Sequence, residues 1–449
     1  MDDSHSAAAS EYLIRYGGDK YFQAAGGMFN TLFHSARGTI VTDVNGREYL
    51  DFTSGQMSAT IGHNHPAIVE ATRLAGEKAF HLFSGMIPEV VAQLAETLAR
   101  DWLPGQLRRS MFVSTGSESN ELALRIAKLY TGGYEVLALG GSWHGITSGA
   151  GAVSILGDRR GYGVPLAGVS MIPEADMYRP YLPGVDPEES ALTVLELALK
   201  MFDMQTTGQG SAIIAEPVLS GGGVIVPPQS FLAALRKAAD ERGMLLIFDE
   251  AQTAFGRIGA RTGAAHFGVT PDIMSLSKTL GGGLPIGAVA TTATIEDTIH
   301  DRNFAYYTSH VSDPLAAEVG LAVLRTLEEE RLIERANEMG EYMMAQLDAL
   351  QQRHDVIGDV RGLGLLIGVE LVSDRATKRP AHRLGPLATE KCLAAGLNVN
   401  IRRKAERGAV WRIAPPLTVS HDEIDQAIAI IDRSLADSLD ELARTNTEL

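Results

Sequence analysis

Leu245-Leu246-Ile247-Phe248-Asp249-Glu250-Ala251-Gln252 decides the fold. Bare apolar residues end abruptly in two acids and an amide. A strand of that make-up is buried on both faces, as in a parallel sheet covered by helices, and it carries Asp249 to its carboxyl end. Open α/β sheets hold their ligands at such ends. The same reading extends outward. Short apolar runs recur at 111–114, 136–139, 212–215 and 286–290, each bounded by glycine, proline or polar residues. Helical patterns lie between them. One runs over 118–130; another starts at Asp186-Pro187-Glu188-Glu189, with Leu192, Leu195, Leu199 and Phe202 down one face. The class is α/β, a mostly parallel sheet flanked by helices.

Beyond residue 320 the pattern changes. Leu321, Leu324, Leu327 and Leu332 mark a long helix running towards Leu350, then 358–370 reads as turn and strand, and 422–435 as a closing helix. We expect a large ligand-binding domain over 61–320 and a smaller α+β domain over 321–449. The first segment, 1–60, carries the hairpin signal Asp43-Val44-Asn45-Gly46-Arg47-Glu48 and is expected to pack on the smaller domain.

A chain of 449 residues exceeds what one core usually serves. Its net charge of −16 argues against the concentrated basic face that a nucleic-acid partner needs. A lone cysteine, Cys392, allows no internal disulfide and points to a reducing compartment. The start, Met1-Asp2-Asp3-Ser4, is acidic where a signal peptide is basic, and apolar runs such as 244–248 are far too short to span a bilayer. The expectation is a cytoplasmic protein with no membrane partner.

The chemistry centres on Ser275-Leu276-Ser277-Lys278-Thr279-Leu280-Gly281-Gly282-Gly283. A lysine beside a glycine cluster, one structural unit beyond Asp249, suits a Schiff base to an aldehyde cofactor. Pyridoxal phosphate needs such a lysine and an acid for its pyridine nitrogen. Thr115-Gly116-Ser117 opens a helix, where unpaired N–H groups and the dipole favour a phosphate; taken alone the run is also a plain N-cap. Trp143-His144-Gly145 offers an indole to stack on a ring, or a core tryptophan. Gln252 could donate to the ring's phenolic oxygen. His63-Asn64-His65 has a zinc-like spacing, but no third ligand stands near it, so a turn before a helix is the reading. Arg402, Arg403 and Lys404 read as a solvated loop, while Arg412, flanked by apolar residues, is a candidate carboxylate clamp. Cys392 reads as a buried small hydrophobe. No G-x-G-x-x-G follows an early strand, which disfavours a nicotinamide enzyme.

Taken together these strings resemble the class III, ω-type, pyridoxal-phosphate aminotransferases of fold type I. The resemblance rests on Gly62-His63-Asn64-His65-Pro66, Ser114-Thr115-Gly116-Ser117-Glu118-Ser119-Asn120, Asp249-Glu250-Ala251-Gln252-Thr253, Ser277-Lys278 and Arg361-Gly362-Leu363-Gly364-Leu365. Further strings resemble the 2,2-dialkylglycine-decarboxylating branch: Asp51-Phe52-Thr53-Ser54-Gly55-Gln56-Met57-Ser58-Ala59, His81-Leu82-Phe83-Ser84-Gly85-Met86, His310-Val311-Ser312-Asp313-Pro314 and Arg412-Ile413-Ala414-Pro415-Pro416-Leu417-Thr418-Val419-Ser420.

The resemblance implies that Lys278 carries the cofactor and shuttles protons, and that Asp249 pairs with its ring nitrogen. Trp143 would stack on the ring, with His144 beside it. Thr115, Gly116 and Ser117 would hold the phosphate, with the hydroxyl of Ser309 from a neighbouring subunit, so a homodimer or homotetramer with active sites at the subunit interface is implied. Gln56 would meet a departing carboxylate and Arg412 a retained one. A potassium (or sodium) site is implied at Leu82, Ser84, Ser309, Val311 and Asp313. Gly221 and Ile146 stand where that branch has serine and methionine, so the substrate pocket is expected to differ. The activity implied is decarboxylation-dependent transamination of 2,2-dialkylglycines, such as 2-aminoisobutyrate to a ketone and CO2, with pyruvate converted to alanine. The alternative is an ordinary ω-aminotransferase acting on an amine or amino acid with a 2-keto acid.

Overall fold

The computed structural model describes residues 31–156, 166–404 and 408–448. Residues 1–30, which include the acidic start, lie outside it.

Near the amino end β1 (Phe33–Arg37), β2 (Ile40–Asp43) and β3 (Glu48–Asp51) form an antiparallel meander. The hairpin falls where Asn45-Gly46 requires it. Gly46 takes φ +79, and Asp43 Oδ1 accepts from Asn45 N at 2.8 Å and Arg47 N at 3.0 Å. β3 pairs in parallel with β14 (Leu397–Asn398), tying this segment to the carboxyl-terminal part of the chain.

The central sheet has seven strands: β4 (Arg109–Val113), β5 (Glu135–Leu139), β6 (Val169–Ile172), β7 (Gly210–Ala215), β8 (Leu245–Asp249), β9 (Ile273–Leu276) and β10 (Gly287–Thr291). Their order is β4-β10-β9-β8-β7-β5-β6. Only β10 runs against its neighbours. The apolar runs form strands because the sheet separates two cores. In β8, Leu246 and Phe248 enter one cluster while Leu245 and Ile247 enter the other. β5 repeats the pattern, with Leu137 and Leu139 on one side and Val136 and Ala138 on the other. Such burial stabilises by about 2 kcal/mol for each large side chain.

The strands after β10 build an antiparallel sheet from β11 (Ile357–Leu363), β12 (Leu366–Asp374), β13 (Arg379–Pro380), β15 (Asn400–Lys404) and β16 (Gly408–Ile413). The stretch read as one turn and strand is a hairpin, β11 and β12, folded at Gly364 with φ +52. Arg402, Arg403 and Lys404 sit in β15, not in a loop, because that backbone pairs with β16. The long helix read towards Leu350 is two helices, Pro314–Glu329 and Leu332–Arg353, broken at Arg331 with φ +51. The closing helix, His421–Arg444, is longer than read; a capping box of Ser420 and Glu423 starts it. Cys392 is buried, which pushes its thiol up to about 11 and leaves it inert. Among the described residues no helix is long and apolar enough to cross a membrane.

Candidate active site

β4, β5, β7, β8 and β9 all point the same way, so their carboxyl ends share one edge. β8 and β9 are neighbours, which brings Asp249 and Lys278 together although they lie far apart in sequence. Both line a cavity of about 280 Å³ with Thr115, Gly116, Ser117, Asn120, Trp143, His144, Gly145, Ala251 and Ser277. The motifs at 115–117, 143–145, Asp249 and Lys278 thus meet in one pocket, whose lining does not include Gln56, Gln252 or Arg412.

Asp249 is the fixed point. Its Oδ2 takes hydrogen bonds from His144 Nδ1 at 2.8 Å and Asn120 Nδ2 at 2.7 Å, and its Oδ1 accepts from Ala251 N at 3.1 Å. Burial alone would raise its pKa, but the His144 bond and charge, Lys278 and the Ala251 amide outweigh it and hold the carboxyl below its ordinary range. Asp249 is therefore an anion at neutral pH. Among the described residues, His144 Nε2 and Asn120 Oδ1 are buried without a hydrogen-bond partner.

Lys278 opens a short 3-10 turn, Lys278–Gly281, in the left-handed region at φ +47. That conformation costs a side-chain-bearing residue roughly 1 kcal/mol or more, and such strain clusters at functional sites. The glycines that follow are needed: Gly282 has φ +54, and a Cβ there would come within 2.5 Å of Ile68 Cδ1.

Thr115 N-caps the helix Gly116–Thr131, its side chain accepting from Glu118 N at 3.2 Å. The capping reading and the phosphate reading coexist, since the N–H groups of Gly116 and Ser117 have no intrahelical acceptor. Ser117 packs against Gly145, where a Cβ would lie 2.8 Å from Ser117 Cα. Trp143 is half exposed at the cavity wall. The residues present fit pyridoxal phosphate: an amine, a pinned anion, a flat aromatic wall and a helix N-terminus converge on one apolar-edged cavity.

Arg412 is buried beside this cavity. Its Nη1 donates to Gln252 Oε1 at 3.0 Å and Ser220 Oγ at 3.3 Å. Gln56 is exposed on a turn in which Ser54, Gly55, Gln56 and Met57 all have positive φ, from 47° to 64°. A buried frame holds that turn: Asp51 accepts from Thr53 N and Gly55 N, and Arg257 donates to Ser54 Oγ at 3.1 Å. His63 belongs to the frame through Asp51 at 2.8 Å, and His65 caps the helix Pro66–Lys78, so neither serves zinc. Gly221 is buried; a Cβ there would lie 2.9 Å from Leu156 Cδ2 and 3.5 Å from Trp143 Cβ, so a serine would press on the wall of the site. Ile146 and Ser309 are exposed and lie outside the lining of this cavity.

The implied alkali-ion residues fit less well. Asp313, their one anionic donor, has Oδ1 2.6 Å from His81 Nδ1 and Oδ2 2.6 Å from His310 Nδ1. Both carboxylate oxygens thus meet imidazoles, which are not among the implied ligands Leu82, Ser84, Ser309 and Val311. No step below passes through an alkali cation.

The sequence reading gave no role to Glu216 or Ser220, and quoted Asn120 without one. Glu216 follows β7 at the same edge as Asp249, which was the available signal. Its Oε1 accepts from Trp143 N at 2.8 Å and its Oε2 from Ser220 N at 3.3 Å. Burial pushes its carboxyl up to about 7, with the charge of His144 opposing and that of Asp249 reinforcing. Folding therefore favours the protonated acid. This contribution is complete below the ordinary value of 4.5 and is lost as pH rises through about 7. In cofactor-free protein, wild type should lose about 3 kcal/mol relative to Glu216→Gln between about pH 5 and about pH 8. Urea unfolding of both proteins across that range checks it; a pH-independent difference contradicts it.

Comparison with known proteins fixes the family. The profile of the aminotransferase class-III family matches residues 21–435. The chain belongs to the class III aminotransferases. An uncharacterized aminotransferase of Schizosaccharomyces pombe is 44% identical over 433 residues, covering 95% of this chain and 93% of the relative. A leucine/methionine racemase of Thermococcus litoralis is 34% identical, covering 90% of each. Among solved structures, an (S)-enantioselective ω-transaminase from Thermomicrobium roseum superposes with a TM-score of 0.87 at 30% identity, covering 96% of this chain and 99% of that one. The fold is fold type I, and the protein is a pyridoxal-phosphate enzyme. These matches reach the class; closeness to the dialkylglycine-decarboxylating branch stays with the quoted strings alone.

Proposed function

We propose that this class III aminotransferase moves the amino group of an amine or amino acid carrying an α-hydrogen to a 2-keto acid. The carrying observation is that Lys278 and a pinned, ionised Asp249 line one cavity. Pyridoxal phosphate, when bound, supplies the electron sink that loosens a bond at the substrate's α-carbon. Asp249 would hold a proton on the ring nitrogen, and His144 and Asn120 keep its carboxylate in place. Lys278 Nζ would take the α-proton as general base and deliver it as general acid to the carbon on the far side of the amino nitrogen. Thr115, Gly116 and Ser117 would hold the phosphate end, and Trp143 would stand against the ring and exclude water. Arg412 grips the keto acid's carboxylate.

A second reading keeps decarboxylation of 2,2-dialkylglycines, and one observation favours it: Gln56 sits in a run of left-handed residues held by a buried frame, the kind of strain retained for function. A substrate panel on holoenzyme separates the two. Amines with an α-hydrogen are expected to convert pyruvate to alanine, while 2-aminoisobutyrate releases no CO2. Release of CO2 from 2-aminoisobutyrate would establish the second reading in place of the first.

The same proposal includes a homodimer, or a pair of dimers, in the cytoplasm. Phe83, Ile87, Ile146 and Tyr307 are large apolar side chains left exposed, and the exposed Ser309 would serve a neighbouring subunit's phosphate site, as the family resemblance implies.

A further inference from the structure

Ser220, Gln252 and Arg412 form a closed triangle of hydrogen bonds, all three buried. Ser220 Oγ donates to Gln252 Oε1 at 2.8 Å, and Arg412 Nη1 donates to the same oxygen at 3.0 Å and to Ser220 Oγ at 3.3 Å. A guanidinium only donates, so the serine must accept from it and point its own hydrogen at Gln252. Two donors meeting at one atom require that atom to be the amide oxygen, which settles the orientation of Gln252. Its NH2 then points the other way. Gln252 follows Ala251, part of the cavity lining, and Asp249, the partner of the ring nitrogen. Ser220 is held in turn by its own N–H on Glu216, whose other oxygen holds Trp143.

An ionised carboxylate is a far better acceptor for a guanidinium than a neutral amide is, so a substrate that took the Arg412 Nη1 hydrogens would draw them from Gln252 and leave one donor on Oε1. We propose that Ser220 is a positioning residue: it keeps the Gln252 amide turned with NH2 towards the cofactor's phenolic oxygen while Arg412 is engaged by a substrate carboxylate. The inference rests on the function proposed above. Without the serine hydroxyl, filling the carboxylate subsite would let the amide turn over, placing its oxygen against an oxygen that carries negative charge. Ser220 thereby uncouples the carboxylate subsite from the electronics of the ring. The neighbouring ionisable groups, Glu216, Asp249, His144, Lys278 and Arg412, are all retained in a serine substitution.

The visible absorption band of bound pyridoxal phosphate reports this directly, because a donor to the phenolic oxygen stabilises the deprotonated chromophore. Holoenzyme of wild type, Ser220→Ala and Ser220→Thr would be titrated with pH, with and without saturating propionate, which has neither an amino nor a keto group. The shift of the band's apparent pKa caused by propionate should be more positive in Ser220→Ala than in wild type by about half a unit to one unit, the weight of one hydrogen bond. Ser220→Thr, which keeps the hydroxyl, should behave as wild type. An equal propionate response in wild type and Ser220→Ala overturns the proposal, as does a Ser220→Ala response that threonine does not reverse. A wild-type protein with no pyridoxal-phosphate band would instead overturn the functional reading beneath it.

Discussion

Replacing Lys278 with alanine is expected to lower kcat for amino transfer by about a thousandfold or more, with little change in folding. The loss is large because one Nζ is asked both to remove a proton and to deliver it elsewhere. Among the described residues lining the cavity, Lys278 is the only lysine. His144 has no role in that step, because its Nδ1 is committed to Asp249 and its ring is fully buried. Stability should fall only modestly: alanine keeps the Cβ that strains the φ of +47, while the Lys278 charge that helps hold Asp249 ionised is lost. Steady-state assays of the purified variant against wild type check this. Activity within tenfold of wild type would contradict it.

The second large effect is expected at Asp249. Changing it to asparagine keeps the shape but removes the charge that would keep a ring nitrogen protonated, and it costs the Ala251 amide its acceptor at Oδ1. A loss of about a hundredfold to a thousandfold in kcat is expected, the usual weight of one preorganised electrostatic group in a dry site. Asn120 Nδ2 and His144 Nδ1 both donate to Oδ2. An asparagine would have to turn its own oxygen to both, leaving its NH2 where Oδ1 now stands. The ring nitrogen would then meet a donor in place of an acceptor. Asp249→Glu keeps the charge but displaces it, and should lose less. Single-turnover measurement of the amino-donor half-reaction separates these effects from cofactor loss; an unchanged rate in Asp249→Asn would refute the assigned role.

Much of this site was legible before the fold was seen, for a physical reason. Strands buried on both faces must be apolar throughout, so their ends stand out as abrupt changes to polar residues, and Asp249 and Lys278 lie at two such ends. What was not legible depends on neighbours distant in sequence. Asn120 looks like any helical polar residue until Asp249 is placed beside it. Ser220 gains meaning only when Arg412, nearly two hundred residues later, closes the triangle. The break at Arg331 left one trace: leucines spaced by three up to Leu327 jump by five to Leu332, a phase slip that no glycine or proline announces. The left-handed turn around Gln56 contains one glycine, so local preference gave no warning of it; Asp51 and Arg257 impose it from the surrounding core. Asp313 shows a further limit: the strings around it implied an ion-binding oxygen, and only the fold brings His81 and His310 against its two oxygens.

The central claim is that one amine, Lys278 Nζ, carries the cofactor in the cavity that Asp249 anchors. Borohydride reduction of holoprotein, followed by digestion and mass spectrometry, tests it most directly. The account predicts that the reduced pyridoxyl group is found on the peptide containing Lys278 and disappears when an amino donor is added before reduction. A label on any other lysine, or no label on protein saturated with pyridoxal phosphate, would contradict it.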